Sequence, residues 1–317
     1  MLQFLLTRSL HAAIVLCIVV VVSFSAVQLM PGDALLAAIE ATGEAADNRS
    51  LDAVRKLYGQ DGSAWQQFWR WLGKFVQGDW GLSMGSGQAV MDMFVQRAPV
   101  TLELFFGGLL WALGLGVPIG MICAYKRGSA LDSWLSGGSL VGIALPPTFE
   151  ALALIYLFAV ILKILPPSGY TPFSEDPWAN IQSMLLPTFV LGSHLAGVLA
   201  RYVRSSLLDN LRQDFIRTAR AKGLSEVQIL FRHAVRPSMT PIVTVLGFTF
   251  GGMLAGAFII EVIFALPGVG RMAVNAIFEK DFPVIQAVLV VTALNVLVVN
   301  FLVDIAYAVL DPRIRIQ

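Results

Sequence analysis

Three histidines, His11, His194 and His233, and two cysteines, Cys17 and Cys123, are what 317 residues offer for thiol or imidazole chemistry. No His-Glu-x-x-His pair is present, and no Cys/His cluster has the spacing a metal ion needs. The phosphate-cradling pattern Gly-x4-Gly-Lys-Ser/Thr is missing too. Gly73-Lys74, the one Gly-Lys dipeptide, lacks both the upstream glycine and the following hydroxyl. Gly114, Gly116 and Gly120 look like a dinucleotide fingerprint, but they lie inside an apolar run and the last spacing is wrong. Close helix packing explains them better. The sequence thus offers no catalytic constellation, metal or cofactor site, and the energy for any work must come from a partner or an ion gradient.

Both cysteines fall in apolar runs and read as small core residues rather than a disulfide framework. The remaining candidates are ionisable groups inside apolar stretches, where a charge is expensive and functional by default. Glu103, Lys163, Glu261 and Asp304 stand near the ends of such stretches. Glu150 lies deeper, just after Pro146-Pro147, and either lines a water-filled cavity or caps the break the prolines make. His194 reads as a neutral imidazole hydrogen-bonded within the bundle.

The elements that must position these residues are membrane helices. The chain is 56% hydrophobic and 14% charged, far from the roughly 25% charged residues of soluble domains. A helix needs about 20 mostly apolar residues to cross a bilayer, and six stretches qualify: 10–30, 101–125, 134–163, 185–203, 241–265 and 284–309. They are too long for barrel strands and lack period-two alternation, so an all-α polytopic membrane protein with six transmembrane helices is expected. The first stretch, with Arg8 before it and Ser23-Phe24-Ser25-Ala26 at its end, has the outline of a cleavable signal peptide. It continues apolar through Val27, Leu29 and Met30, and is read as a retained helix.

Lys and Arg set the orientation. The connection 204–236 carries Arg204, Arg212, Arg217, Arg220, Lys222, Arg232 and Arg236, whereas 164–184 has neither Lys nor Arg. Lys126, Arg127, Arg313 and Arg315 fall on the same side as 204–236 when spans alternate. Both termini are therefore expected in the cytoplasm. The implied partner is the lipid bilayer, not nucleic acid. Three parts follow: a first transmembrane helix at 1–30, an extracytoplasmic loop at 31–98, and a five-helix core at 99–317 that includes the cytoplasmic segment 204–236. In the outer loop Trp65, Phe68, Trp69, Leu72, Phe75 and Val76 recur at helical spacing, which suits an amphipathic helix. It either lies at the outer interface or packs in a small external cap.

Small residues recur at four-residue spacing. Gly247, Gly251, Gly252 and Gly256 put two ridges on the fifth span, and Gly116 with Gly120 puts one on the second. Such ridges let helix backbones approach closely or leave room for a path.

The most informative segment is the basic connection. Asp214 through Gly223 reads as a helix with an acid near its start, cations in its last turn and a glycine stop. A second helix is expected from the capping residue Ser225 to a break at Pro237. The projection could lie on anionic lipid, as its charge favours, or dock in a protein groove, as Ala219 and Ala221 on its apolar face favour.

The stretch Phe215-Ile216-Arg217-Thr218-Ala219-Arg220-Ala221-Lys222-Gly223-Leu224-Ser225, followed by Arg232-His233-Ala234-Val235-Arg236-Pro237, resembles the cytoplasmic coupling motif of binding-protein-dependent ABC importer permeases of the dipeptide/oligopeptide/nickel branch. Leu29-Met30-Pro31-Gly32-Asp33, Gly78-Asp79-Trp80-Gly81-Leu82-Ser83, Leu266-Pro267-Gly268-Val269-Gly270-Arg271 and Leu310-Asp311-Pro312-Arg313-Ile314-Arg315 agree. Where the general motif opens Glu-Ala-Ala, this chain has Arg217, Thr218 and Ala219, a substitution usual in the peptide branch. The resemblance implies a type I importer fold in a bacterial inner membrane, with a coupling helix at Arg217–Ser225 seated in an ATPase cleft. It also implies two ATP-binding subunits, a second homologous permease and an extracytoplasmic solute-binding protein. A gradient-driven secondary transporter is the alternative reading of the residues alone. Its usual signature of paired broken helices in two halves is not matched by any internal repeat.

Overall fold

The structure, a computed structural model, describes residues 2–29 and 62–310. Residues 31–61 of the outer loop, the run Met30–Asp33 and the C-terminal Asp311–Arg315 lie outside the described residues. Helices dominate, in chain order α1 (Leu2–Leu29), α2 (Ala64–Val76), α3 (Val90–Tyr125), α4 (Ala130–Ala144) and α5 (Pro147–Ile155). Then follow α6 (Pro177–Leu211), α7 (Asp214–Ala221), α8 (Glu226–Ile229), α9 (Val235–Ile263), α10 (Val269–Glu279) and α11 (Phe282–Leu310). Among the described residues the one β contact is an isolated bridge between Leu82 and Ala89.

Three of these helices are long and apolar enough to cross a bilayer: Val90–Tyr125, Pro177–Leu211 and Phe282–Phe301. The stretch 134–163 is bent by 103° between α4 and α5, and counts as a fourth if the pair is one span. Leu145 and Pro146 are extended there, because a residue before proline is pushed out of the helical region, and Pro147 starts a new helix. The remaining two stretches expected to span fall on α1, whose apolar part is Ser9–Ser25, and on α9.

The chain forms two compact units. One comprises Leu102–Leu266 and Val298–Gln317, the other Leu2–Thr101 and Pro267–Leu297. The first is built around α6. Asp176 caps it by accepting from Trp178 N and Ala179 N, and Pro177 sits at the first position, where no N–H is missed. Leu191, Leu195, Leu199, Val203 and Leu207 repeat every four residues and are buried, the period that puts a stripe on one helix face. Helices α4, α5 and α9 pack against it.

Glycines set how closely α6 is approached. A methyl group added at Gly116 of α3 would stand 2.7 Å from the Ala196 carbonyl, and one at Gly120 would stand 2.6 Å from that of Ala200. On another face, a methyl at Gly197 would meet the Ser139 carbonyl of α4 at 2.7 Å. In lipid, where tails are as apolar as leucine, such backbone contact is a main source of helix association.

In the second unit aromatic rings link the elements. Phe24 of α1 meets Phe68 and Trp71 of α2 at 5.3 and 5.8 Å, and Phe75 stacks on Trp80 at 5.1 Å. Ser63 begins α2 with a reciprocal cap to Gln66. The helix therefore presents Phe68, Trp71 and Phe75 inward, while Trp65, Trp69 and Val76 of the expected apolar face are exposed. Helix α10 was not anticipated. Its first N–H, of Val269, donates to the Thr101 hydroxyl at 2.9 Å.

Candidate functional site

The 204–236 connection folds as a helix, a glycine turn and a second helix. Gln213, not Asp214, is the N-cap of α7, and it makes no side-chain capping bond. Asp214 occupies the first turn, where its charge complements the helix dipole and its carboxylate faces Arg217 at 3.5 Å. Gly223 ends the helix at φ +79°, a left-handed conformation that costs a side-chain-bearing residue about 1 kcal/mol. Its N–H donates to the Arg220 carbonyl at 2.9 Å.

Ser225 then opens α8 with a reciprocal cap to Gln228. The expected break at Pro237 does not occur. Leu230–Ala234 form a wider π-helical turn that runs directly into α9, so helix is continuous from Glu226 to Ile263. Proline lacks an N–H and crowds the carbonyl four residues back, and the wider turn just before Pro237 relieves that conflict.

The projection has an inner and an outer side. Ile216, Ala219, Ile229 and Leu230 are buried against the body. Arg217, Thr218, Arg220, Ala221, Lys222, Gly223 and Ser225 are exposed, with Leu224 between. Ala219 and Ala221 thus do not share one free face: Ala219 packs inward, and Ala221 alone is presented outward. Exposed Phe215, Val227 and Phe231 flank this surface. Arg220 grips Glu226 with two bonds, Nε to Oε1 at 2.6 Å and Nη2 to Oε2 at 3.0 Å, closing the turn between α7 and α8. That partner holds the Glu226 carboxyl below its usual range.

The base of the projection is tied down by residues the sequence did not mark. Asn210 Nδ2 donates to the Ser206 carbonyl and to Ser238 Oγ, both at 2.9 Å, and Ser238 Oγ donates to the Ala234 carbonyl at 2.8 Å. Asp132 and Arg204 form a further tie between α4 and α6. Arg204 Nε and Nη2 donate to Asp132 Oδ1 and Oδ2, each at 2.9 Å, while Gly128 N and Ser136 Oγ complete the carboxylate. The only sequence hint was an acid and a base at ends of apolar stretches. Their separation by 72 residues hid the pairing.

The other candidates are dispersed. Glu150 accepts from Ser193 Oγ of α6 at 2.9 Å and does not cap the proline break. Glu103 accepts from the Tyr170 hydroxyl at 2.8 Å; burial and that carboxylate push the phenol up to about 12, so it stays a donor. His194 is exposed and makes no hydrogen bond among the described residues, contrary to the expected imidazole hydrogen-bonded within the bundle. Glu261 and Cys123 are buried, whereas Cys17 is exposed and not the core residue expected. Lys163 is exposed with φ 55°; the surroundings of Asp304 and Gly251 lie outside the described residues. Of the fifth-span glycines, Gly247 is buried, a methyl at Gly256 would touch Leu191 at 3.4 Å, and Gly252 faces open space. Among the described residues no group of three or more His, Cys, Asp or Glu is placed to hold a metal ion.

Two family descriptions match the chain: the binding-protein-dependent transport system inner membrane component over residues 116–316, and its N-terminal membrane component over residues 1–105. A relative from Brucella abortus (strain 2308), named for a peptide transport system permease, is 35% identical over 311 residues, covering 98% of each chain. The glutathione transport system permease protein GsiC of Escherichia coli (strain K12) is 37% identical over 316 residues, covering 99% of each. Among solved structures, the inward-facing MetNI methionine ABC transporter in its native crystal form matches 70% of this chain and 97% of its own. The TM-score is 0.58 and the identity 18%, so that likeness speaks to fold. With both descriptions matched and relatives aligned almost end to end, the chain belongs to the family of binding-protein-dependent transport system inner membrane components.

Proposed function

We propose that this chain is the permease subunit of an ATP-driven importer for peptides or related small solutes, working by alternating access. It carries six spans with both termini cytoplasmic. It pairs with a second homologous permease and receives substrate from an extracytoplasmic solute-binding protein. Two separate ATP-binding subunits power it, because its own sequence has no phosphate-cradling loop. Peptides are favoured as solute because relatives are named for peptide and glutathione transport, and glutathione is itself a tripeptide.

The observation that carries the reading is the 214–234 projection: buried on one side, small and cationic on the other, and continuous through a π turn with a long apolar helix. An element built this way passes a push at its tip into α9 rather than absorbing it in a flexible loop. Arg217 through Ser225 form the surface that seats in the ATPase, and closure of the paired ATPases rocks the packed helices between two states.

The test is substitution of Gly223 by Asp and of Ala221 by Trp, both exposed. Membrane insertion is expected to be normal, with loss of ATPase co-purification and of ATP-driven peptide uptake. Undiminished uptake by both variants would remove the docking role. Uptake that continues with the ATPases absent and collapses with the ion gradient would establish the secondary-transporter reading instead.

A further inference from the structure

The second unit holds a cleft of about 530 Å³ that the proposed coupling does not use. Its walls come from the turn 83–86, the start of α3 and the end of α10 with the residues after it. The volume lies within the range of small-molecule sites. Its polar lining is of both signs: Arg97 and Lys280 are cations, Glu279 and Asp281 anions.

Two of these charges are incompletely satisfied. Asp281 is 2% exposed; its Oδ2 accepts from Ser83 Oγ at 2.5 Å and from Gly85 N at 3.4 Å, while Oδ1 is buried without a hydrogen-bond partner among the described residues. One guanidinium nitrogen of Arg97, Nη1, is likewise buried without a partner among those residues. A charged acceptor and a charged donor left unpaired beside one cavity are costly in isolation, and a molecule bearing both complementary charges relieves both. The remaining wall is soft. Met84, Met93 and Met272 line it, and unbranched thioether side chains adapt to varied neighbours.

We propose that this cleft binds a small zwitterion, a short peptide with free termini, its ammonium facing Asp281 and Glu279 and its carboxylate facing Arg97 and Lys280. The charged groups read what all such peptides share, and the methionines tolerate what differs. This deepens the peptide-import reading and rests on it for the placement of both cleft segments outside the membrane. Ser83 holds Asp281 in position from the turn opposite.

Equilibrium dialysis of labelled trialanine against the full chain in lipid nanodiscs tests it, with N-acetyl-trialanine amide as the uncharged probe. Saturable binding of trialanine and none of the capped peptide are expected. Arg97→Gln and Asp281→Asn should each weaken binding at least tenfold. Because both residues are partly or fully buried, the exposed Glu279→Gln and Lys280→Asn provide variants with little folding burden, and about threefold weakening is expected of each. Equal binding of capped and free peptide, or no saturable binding, overturns the proposal. Peptide uptake by the assembled importer without binding here overturns the cleft and leaves the import reading standing. Binding here without ATP-driven uptake supports the cleft and sinks the import reading.

Discussion

Two arginine–carboxylate pairs of the same bidentate chemistry occupy different parts of the molecule. Arg204 and Asp132 join α4 to α6 with side chains 32% and 7% exposed, and the carboxylate has four donors. Arg220 and Glu226 join α7 to α8 with side chains 45% and 51% exposed, each having only the other among the described residues. A charge kept from water depends on every partner it has, whereas an exposed one exchanges its partner for solvent at little cost. The helical body is thus stapled by a pair it cannot lose. The 214–234 projection is held in shape mainly by its caps, its buried Ile216 and Ile229, and its continuity with α9. The coupling proposed above would use such a division: a stiff lever behind, and a tip free to settle against an ATPase.

The strongest challenge to this contrast is Asp132→Ala. It leaves Arg204 unpaired, and unfolding in mixed micelles should show a loss of about 3 kcal/mol, the low end for a broken buried pair because Arg204 is partly exposed. A loss no larger than that of the Glu226 variant would erase the distinction.

Next in size is Gly120→Ala, where the added methyl meets a backbone carbonyl. Overpacking should cost about 1–3 kcal/mol, more than the ~1 kcal/mol that alanine gains over glycine in a helix. Gly252→Ala, in open space on α9, should leave the chain as stable or slightly more so in the same titration. If the two glycines respond alike, the α3–α6 contact is not the tight one.

The smallest effect belongs to Glu226→Gln, expected to cost less than about 1 kcal/mol. Its pH dependence has a definite sign. Arg220 lowers the Glu226 carboxyl in the folded chain, so the pair contributes above the ordinary carboxyl value of 4.5 and is lost only as pH falls below it. Hydrogen exchange at Gly223 and Leu224 should be insensitive to protonation of this pair near neutrality, after correction for intrinsic rates, and rise under acid. A transition near neutral pH would assign the control to another group.

Much of this protein was legible one residue after another. Apolar run length, a lipid requirement, announced helices at every stretch expected to span. Cap chemistry announced the turn at Gly223 and the start at Ser225, because a glycine stop and a serine cap act within a few bonds. Reading Pro237 as a break failed, since a wider turn can absorb a proline and local pattern does not reveal the turn. The amphipathic pattern of α2 left open which of its apolar residues turn inward; Phe24, distant in sequence, meets Phe68 and Trp71, and Trp80 just beyond the helix stacks on Phe75.

What the sequence by itself determined, then, is class and family: an all-helical membrane chain with a basic helix–glycine–helix connection and no nucleotide loop. Which charges meet was decided only by tertiary structure. Asp132 finds Arg204 across 72 residues, and Asp281 finds Ser83 across 198. The physical reason is range. Propensity, capping and hydropathy act within a turn or two of chain, while a buried charge is satisfied by whatever the fold brings beside it.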